Sequence, residues 1–288
     1  MAFNRFTILQ LFSYERFVKF ACSMGIDMEF IWLVCLGVGV GFISAFFGVG
    51  GGIVMVPILN IFYPHFDQHF IIATSLSVIF INSIINTYNF KKSISVKWKT
   101  VLYIALSSVI SAFLTAEFAK SIDSRILKWI FVFFITLVAG LLLFRSTPNT
   151  EQKPYKSQVL FYFYHILIGV LTGFISAITG LGGGAIIVPL MIYLLFIPMN
   201  QVSAYSNAIM IFTTLSGTLA YMMSKTPEIN YTTFGFVIPI LTLTITFGSF
   251  FGSKFGVKLN QKVDQKIIKK SFAALLLLAA MKTVNGLL

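Results

Sequence analysis

Charged side chains are scarce in this chain of 288 residues, because Asp, Glu, Lys and Arg together make up only 10% of it. A soluble domain carries about a quarter. Hydrophobic residues account for 57% of the chain, and the mean hydropathy is +0.90. These values exclude an ordinary soluble domain and predict an all-α polytopic membrane protein.

The groups that enzymes use are also few, with 9 acidic residues, 3 histidines and 2 cysteines. Cys22 and Cys35 have neither metal-site nor disulfide spacing. No nucleophile–base pair stands out, and no lysine follows the glycines as it would in a phosphate-binding loop. No Asp, Glu, Lys or Arg lies deep in an apolar segment, so an intramembrane proton relay is not indicated. We therefore predict no enzyme activity, no cofactor and no metal.

The net charge of +12 does not indicate nucleic-acid binding, because the basic residues lie between apolar segments rather than along one surface. Lys and Arg in short loops are better explained as determinants of membrane topology. The predicted location is the cell inner membrane, crossed several times.

The chain carries one long motif twice, at an offset of 132 residues. Of 17 positions, 11 are identical between residues 41–57 and 173–189, which read GFISAFFGVGGGIVMVP and GFISAITGLGGGAIIVP. A match of this length indicates an internal duplication. Eight apolar stretches, four in each half, extend the duplication over most of the chain.

The duplication gives the domain organisation. Residues 28–144 form the first membrane repeat, the polar linker 145–157 follows, and residues 158–288 form the second repeat. Residues 1–27 are an N-terminal extension, either an interfacial helix or an over-extended start of the reading frame.

The glycine clusters predict a broken helix at the start of each repeat, since each glycine costs up to about 1 kcal/mol in a helix and the following proline removes a donor. A break frees backbone N–H groups at the start of a second half-helix, where anions bind. Close helix crossing without ligand binding is the alternative explanation. The predicted substrate-binding glycines are Gly48, Gly50, Gly51, Gly52, Gly180, Gly182, Gly183 and Gly184.

Polar side chains follow both breaks and complete the predicted site. Ser75 and Ser206 occupy matching positions, and Asn82 and Asn207 are amides that need a partner in a membrane. Hydroxyls in membrane helices commonly bond to their own backbone, which is the alternative for the two serines.

Small residues recur every four positions in the last but one stretch of each repeat. Gly248, Gly252 and Gly256 match Ser107, Ser111 and Thr115, and this spacing predicts close helix packing rather than substrate contact.

The basic residues also bear on topology. If both broken segments are re-entrant, Lys and Arg divide 13 to 8 between the two sides, against 12 to 9 if both segments cross once. The larger asymmetry favours inverted repeats with the N-terminus outside.

The doubled glycine motif, the Ala-Thr-Ser-Leu at 73–76 and the four-plus-four layout resemble the sulfite exporter TauE/SafE family of membrane transporters over about residues 30–288. The resemblance implies an inner-membrane permease that exports sulfite or small organosulfonates. It places the family's glycine motifs at 48–52 and 180–184 and its hydroxyl positions at Ser75 and Ser206. Tyr205-Ser206-Asn207 departs from Thr74-Ser75-Leu76, so the halves are expected to contribute unequally.

The predicted function is secondary transport of a small sulfur oxyanion bound between the two breaks. An anion-selective channel, or a transporter of another small anion such as a carboxylate, is the alternative. The predicted partners are the anion and the lipid bilayer; a homodimer is left open, and no nucleic-acid partner is expected.

Overall fold

The computed structural model describes residues 28–144, 158–226 and 231–285, which form helices joined by short loops and one isolated β-bridge between Phe234 and Val237. The interfacial helix predicted in 1–27 and the linker 145–157 lie outside the described residues. The ten helices found there are α1 (Met28–Phe47), α2 (Gly52–Phe62), α3 (Gln68–Phe90), α4 (Trp98–Ala119), α5 (Ser124–Phe144), α6 (Gln158–Thr179), α7 (Gly184–Leu194), α8 (Met199–Met222), α9 (Pro239–Asn260) and α10 (Gln265–Asn285).

Six of the described helices, α1, α3, α4, α5, α6 and α9, are long and apolar enough to cross a membrane. The predicted all-α polytopic membrane fold is therefore confirmed. The first apolar stretch of each half forms two helices, and the second of each pair, α2 or α7, has only 11 residues. Such a helix is about 16 Å long and covers about half of the hydrocarbon core.

Each repeat is packed against the other through its first helix. The glycine stripe of α9 lies along α1, where Cβ atoms added to Gly248 and Gly252 would meet the carbonyls of Val34 and Val38. Gly248 packs on Val34 and Gly252 packs on Val38, so residue numbers increase in the same direction along both helices. The helices α1 and α9 therefore run parallel. In the other pair, Ser111 of α4 donates to the Val170 carbonyl of α6 at 2.8 Å. The packing role predicted for the glycine stripe is confirmed.

The helix α2 runs back toward the start of α1. The Tyr63 hydroxyl, just after α2, donates to Glu29 at the beginning of α1, and Tyr231 donates to the same carboxylate at 3.2 Å. The rings of Trp32 and Phe62 are 4.1 Å apart. Burial, and then the bond to Glu29, raises the pKa of Tyr63 above its ordinary value, so the phenol remains a donor. The pair α1–α2 is therefore a hairpin.

Contacts between helix ends define two sides of the molecule. Ser124, at the start of α5, donates to Asp67 at the start of α3 at 2.7 Å, on the side that we call the Glu29 side. The loop from α3 to α4 lies at the other end of α3, on the Lys91 side. There the Lys97 N–H donates to the hydroxyl of Tyr205 near the start of α8 at 3.0 Å. Thus α3 starts on one side and its counterpart α8 on the other.

Candidate functional site

The two glycine breaks have the same backbone conformation. Three glycines of the first break, Gly48, Gly50 and Gly51, have φ values of 73°, 80° and 82°. The matching glycines of the second break, Gly180, Gly182 and Gly183, have φ values of 71°, 72° and 81°. Because residues with a Cβ rarely adopt this left-handed region, the sequence needs glycine there. The predicted helix break is confirmed in both halves.

The two breaks lie against each other at the centre of the protein. A Cβ atom added to Gly52 would be 2.6 Å from the carbonyl oxygen of Gly180 and 2.9 Å from the Cα of Leu181. A Cβ atom added to Gly184 would in turn meet the backbone of Val49. All of these residues are buried. The structure thus brings the two predicted glycine clusters into one place, which we call the junction.

Backbone donors collect at the junction. The N–H groups of Gly50, Gly51 and Gly52 donate to no other described residue, and those of Gly182, Gly183 and Gly184 likewise have no partner among the described residues. They stand at the N-termini of α2 and α7, where the helix dipole adds positive potential. An arrangement of this kind can bind an acceptor-rich anion without a fixed cation.

Ser75 and Ser206 bond across the repeats. The Ser75 hydroxyl donates to the Gly180 carbonyl and the Ser206 hydroxyl to the Gly48 carbonyl, each at 2.6 Å. Each repeat therefore holds the first glycine of the other repeat's break. Both serines lie at the junction, and in this conformation their hydroxyl protons bond to backbone carbonyls.

The two predicted amides, Asn82 and Asn207, differ in how many of their hydrogen-bonding groups have a partner. Asn82 accepts a hydrogen bond from Ser249, and its Nδ2 has no partner among the described residues although it is buried. Asn207 donates to the Ser203 carbonyl at 2.7 Å and accepts from Asn86 at 2.9 Å. An amide nitrogen carries two hydrogens; Asn207 uses one of them, whereas neither hydrogen of Asn82 has a partner among the described residues.

Hydrophobic residues that the sequence did not single out also contact the breaks. A Cβ atom added to either Gly50 or Gly182 would lie 2.7 Å from Cγ2 of Ile79. The Sδ atom of Met210, the counterpart of Ile79 in α8, lies 3.1 Å from the same Gly50 position. Neither residue carries a sequence signal, since Ile and Met are common in any apolar helix.

Six buried hydroxyls have no partner among the described residues: those of Ser83, Thr87, Thr172, Ser176, Thr218 and Thr246. Two of them adjoin the second break, because a Cβ atom on Gly183 would meet Thr172 and would lie 3.5 Å from the Cβ of Ser176. The match of Ser176 with Ser44 in the duplicated motif was a usable sequence signal. Unpartnered buried hydroxyls are uncommon, and they mark positions where a polar ligand can be bound.

The chain is similar over most of its length to a family described as "Sulfite exporter TauE/SafE", which matches residues 33–283. A protein of Methanocaldococcus jannaschii named as a probable membrane transporter is 33% identical over 228 residues, covering 75% of this chain and 82% of that protein. A Haemophilus influenzae protein of similar name is 27% identical over 259 residues, covering 86% and 96%. A Bacillus subtilis protein is 28% identical over 218 residues, covering 68% and 80%.

No solved structure matches the chain. The family match and the apolar helices nevertheless agree on one conclusion, which is that this chain belongs to the TauE/SafE family and is a multi-pass membrane transporter.

Proposed function

We propose that the protein is a secondary transporter that exports a small sulfur oxyanion, sulfite or an organosulfonate, and binds it at the junction between the two breaks. The observation that carries this proposal is the pair of opposed helix N-termini whose backbone donors have no partner among the described residues. The substrate class comes from the family, which is named for sulfite export.

The junction suits an oxyanion for chemical reasons. Sulfite and sulfonate groups present only acceptor oxygens, and backbone N–H groups, the Asn82 amide and the Ser176 hydroxyl can each donate to them. A site made of neutral donors binds less tightly than one with a buried Lys or Arg, because no full charge opposes that of the anion. Release, which transport requires, is then rapid.

The contacts of the helix ends support inverted repeats as the transport architecture. The α1–α2 hairpin returns to the Glu29 side, and α3 and α8 start on opposite sides. Inverted repeats allow one site to open alternately to each side. We assign the Lys91 side to the cytoplasm, because re-entrant hairpins leave 13 Lys and Arg there against 8 on the other side.

The proposed function is tested by uptake of radiolabelled sulfite into proteoliposomes that contain the purified protein. We expect slow, saturable uptake, competed by organosulfonates and absent from empty vesicles. Unitary currents would instead indicate a channel, and competition by carboxylates alone would overturn the sulfur assignment. Absence of flux for every oxyanion offered would contradict the proposal as a whole.

The proposed site is tested by Asn82→Asp. This change keeps the oxygen that accepts from Ser249 but replaces the free donor by a negative charge. Repulsion between two charges about 4 Å apart is of order 4 kcal/mol near a protein surface. We therefore expect sulfite uptake to fall at least tenfold. Because Asn82 is buried, the new carboxylate should also lower thermal stability, so uptake is compared per molecule of folded, reconstituted protein.

The matched control is Asn89→Asp, which makes the same chemical change on the same helix, where Asn89 is half-buried and donates to Ser253 at 3.4 Å. It should transport sulfite nearly normally. Equal loss in both variants would mean that a charge anywhere on α3 disrupts transport, and the assignment of Asn82 would fall.

A further inference from the structure

A cleft of about 720 Å³ lies on the Lys91 side, between the end of α3, the loop 91–97 and α8. Lys91 and Lys92 line it together with Thr87, and Trp98 and Ile211 contribute its apolar part. None of the described residues that line it is acidic. The cleft therefore attracts anions, and a positively charged mouth raises the local concentration of an anionic ligand.

The cleft is connected to the junction by one face of α3. Residues four apart on a helix lie one above the other, and the series Ile79, Ser83, Thr87 and Lys91 follows this spacing. Ile79 contacts both breaks, and Lys91 lines the cleft. Between them, the buried hydroxyls of Ser83 and Thr87 have no partner among the described residues.

We propose that this face of α3 is the path by which the anion enters from the Lys91 side, with Lys91 and Lys92 as the capture site and Ile79 as the hydrophobic barrier before the junction. The proposal rests on the proposed function, which it extends to the route and direction of transport. Two free hydroxyls in series give the anion donors along the path, and Ile79 must move aside before the anion reaches the glycines.

The counterpart of this face in α8 leads from the junction to the Glu29 side, because α8 runs opposite to α3. Its residues are Met210, Thr214, Thr218 and Met222. The Thr218 hydroxyl is buried without a partner among the described residues, whereas Thr214 bonds to the Met210 carbonyl at 2.6 Å. This exit path ends in Met222 rather than in a cation. Because the lysines that capture the anion lie on the Lys91 side, the anion should be loaded from that side. With the Lys91 side assigned to the cytoplasm, this direction of transport is export.

The path is tested by cysteine accessibility, which does not depend on the substrate. In a background with Cys22→Ser and Cys35→Ser, single variants Thr87→Cys and Thr218→Cys are treated with a membrane-impermeant maleimide from each face. Lys92→Cys reports the Lys91 side. Leu106→Cys is the control, since Leu106 is a 68% exposed apolar residue within a membrane-spanning helix and faces lipid.

We expect Thr87→Cys to react from the face that labels Lys92→Cys, and Thr218→Cys to react from the opposite face. The proposal is overturned if both react from one face, or if Thr87→Cys reacts no more than Leu106→Cys. Failure of sulfite flux in the wild type would count against the proposed substrate, while the labelling pattern would still decide the path.

The capture site is tested by the double variant Lys91→Gln, Lys92→Gln. We expect the KM for sulfite entering from the Lys91 side to rise roughly tenfold at low ionic strength, and this difference to shrink as salt screens the lysines. Lys225→Gln, which removes an exposed cation on the Glu29 side, is the control and should leave that KM unchanged.

An acidic phospholipid headgroup has the same oxyanion chemistry and could occupy the cleft instead. In that case the double variant would keep the wild-type KM, but would lose the thermal stabilisation that phosphatidylglycerol gives to the wild type over phosphatidylcholine. That result would overturn the capture site.

Discussion

The first and second breaks share a backbone conformation but differ in their side-chain surroundings. Near the first break, Ser44 accepts a hydrogen bond from Asn86 at 2.9 Å. Near the second break, the matching Ser176 has no partner among the described residues. The φ values of matching glycines nevertheless lie in the same left-handed region, at 73° and 71°, 80° and 72°, and 82° and 81°. The conformation of the breaks is thus set by the glycines and not by the polar groups around them.

A network of amides accounts for this difference. Asn86 bonds to Ser44, to Asn207 and to Ser253, while Asn260 donates to the Phe46 carbonyl at 2.7 Å. Asn86 belongs to the first repeat, and Asn207 and Asn260 belong to the second. The matching position of the other repeat holds Gly217 for Asn86, Leu76 for Asn207 and Ala119 for Asn260.

The comparison distinguishes structural features that both halves share from one that only the first break has. Both need the breaks and their contact, which form the junction. Only the first half has its break tied to neighbouring helices by side-chain amides, so we expect that break to be the more rigid of the two. Substitutions at matching glycines of the two breaks should therefore lower stability equally. Substitutions in the amide network and at the matching positions should lower stability unequally.

The largest expected effect, equal in both halves, comes from Gly52→Ala and Gly184→Ala. In each case the new methyl group would meet backbone atoms of the other break, which cannot move aside as a flexible side chain can. We expect each to lower the free energy of unfolding by about 3 kcal/mol or more, measured by denaturant unfolding in detergent. Gly39→Ala, where nothing lies within 4 Å, is the control. A severe effect in only one of the two would contradict the reciprocal contact.

The next effect should differ between the halves. Asn86→Ala removes bonds to three side chains and leaves their buried polar atoms short of a partner, which should cost about 2–3 kcal/mol in the same assay. Its counterpart Gly217→Ala adds a methyl group that approaches only the flexible end of Leu76, at 3.1 Å. That change should be neutral or slightly stabilising, since Ala favours a helix over Gly. Equal destabilisation would mean that the network does not set the halves apart.

The breaks and the small-residue stripe could be predicted because each depends on local sequence: glycine and proline spacing, or small residues every four positions. The partners of Ser75 and Ser206 could not, because those bonds join residues 105 and 158 positions apart. The sequence also does not show that the hydroxyls of Ser83 and Thr172 lack a partner. Whether a buried hydroxyl finds a partner depends on how the other helices pack around it.

The expectation of unequal halves came from Tyr205-Ser206-Asn207, and these residues illustrate the same limit. Tyr205 accepts a bond from the loop before α4, and Asn207 joins the amide network. Neither contact could be read from the chain, although the departure from the first half was visible in it. That these residues bind substrate unequally remains a prediction.

A smaller and symmetric effect is expected from Ser75→Ala and Ser206→Ala. Each removes one hydroxyl that donates to a buried carbonyl of the other break at 2.6 Å. We expect each to cost about 1–2 kcal/mol, with the two values alike. Transport should be impaired in both, because each break loses the contact that holds its first glycine. A much larger cost for one serine would show that the amide network compensates for the loss in the other half.

The smallest effect concerns the caps of the two counterpart helices, and it depends on pH. Asp67 caps α3 and accepts from the backbone and ring of His69 and from Ser124, whereas the cap of α8 is Pro198, which has no titratable group. The hydrogen bond from the His69 side chain, with those from its backbone and from Ser124, lowers the pKa of Asp67 below its ordinary value, although burial opposes the shift.

A lowered pKa in the folded state means that the charged Asp67 stabilises the protein above its unfolded pKa of about 4, and that this contribution is lost as the pH falls below that value. Asp67→Asn keeps an acceptor for the His69 N–H but cannot ionise. We therefore expect the melting temperature of the wild type to fall more steeply than that of Asp67→Asn between about pH 5 and pH 3. Pro198→Ala should follow the wild-type slope, because the cap of α8 contributes nothing that titrates. If the melting temperatures of the wild type and Asp67→Asn fall in parallel, the acid sensitivity arises from other groups. The charged cap of α3 would then not distinguish the two halves.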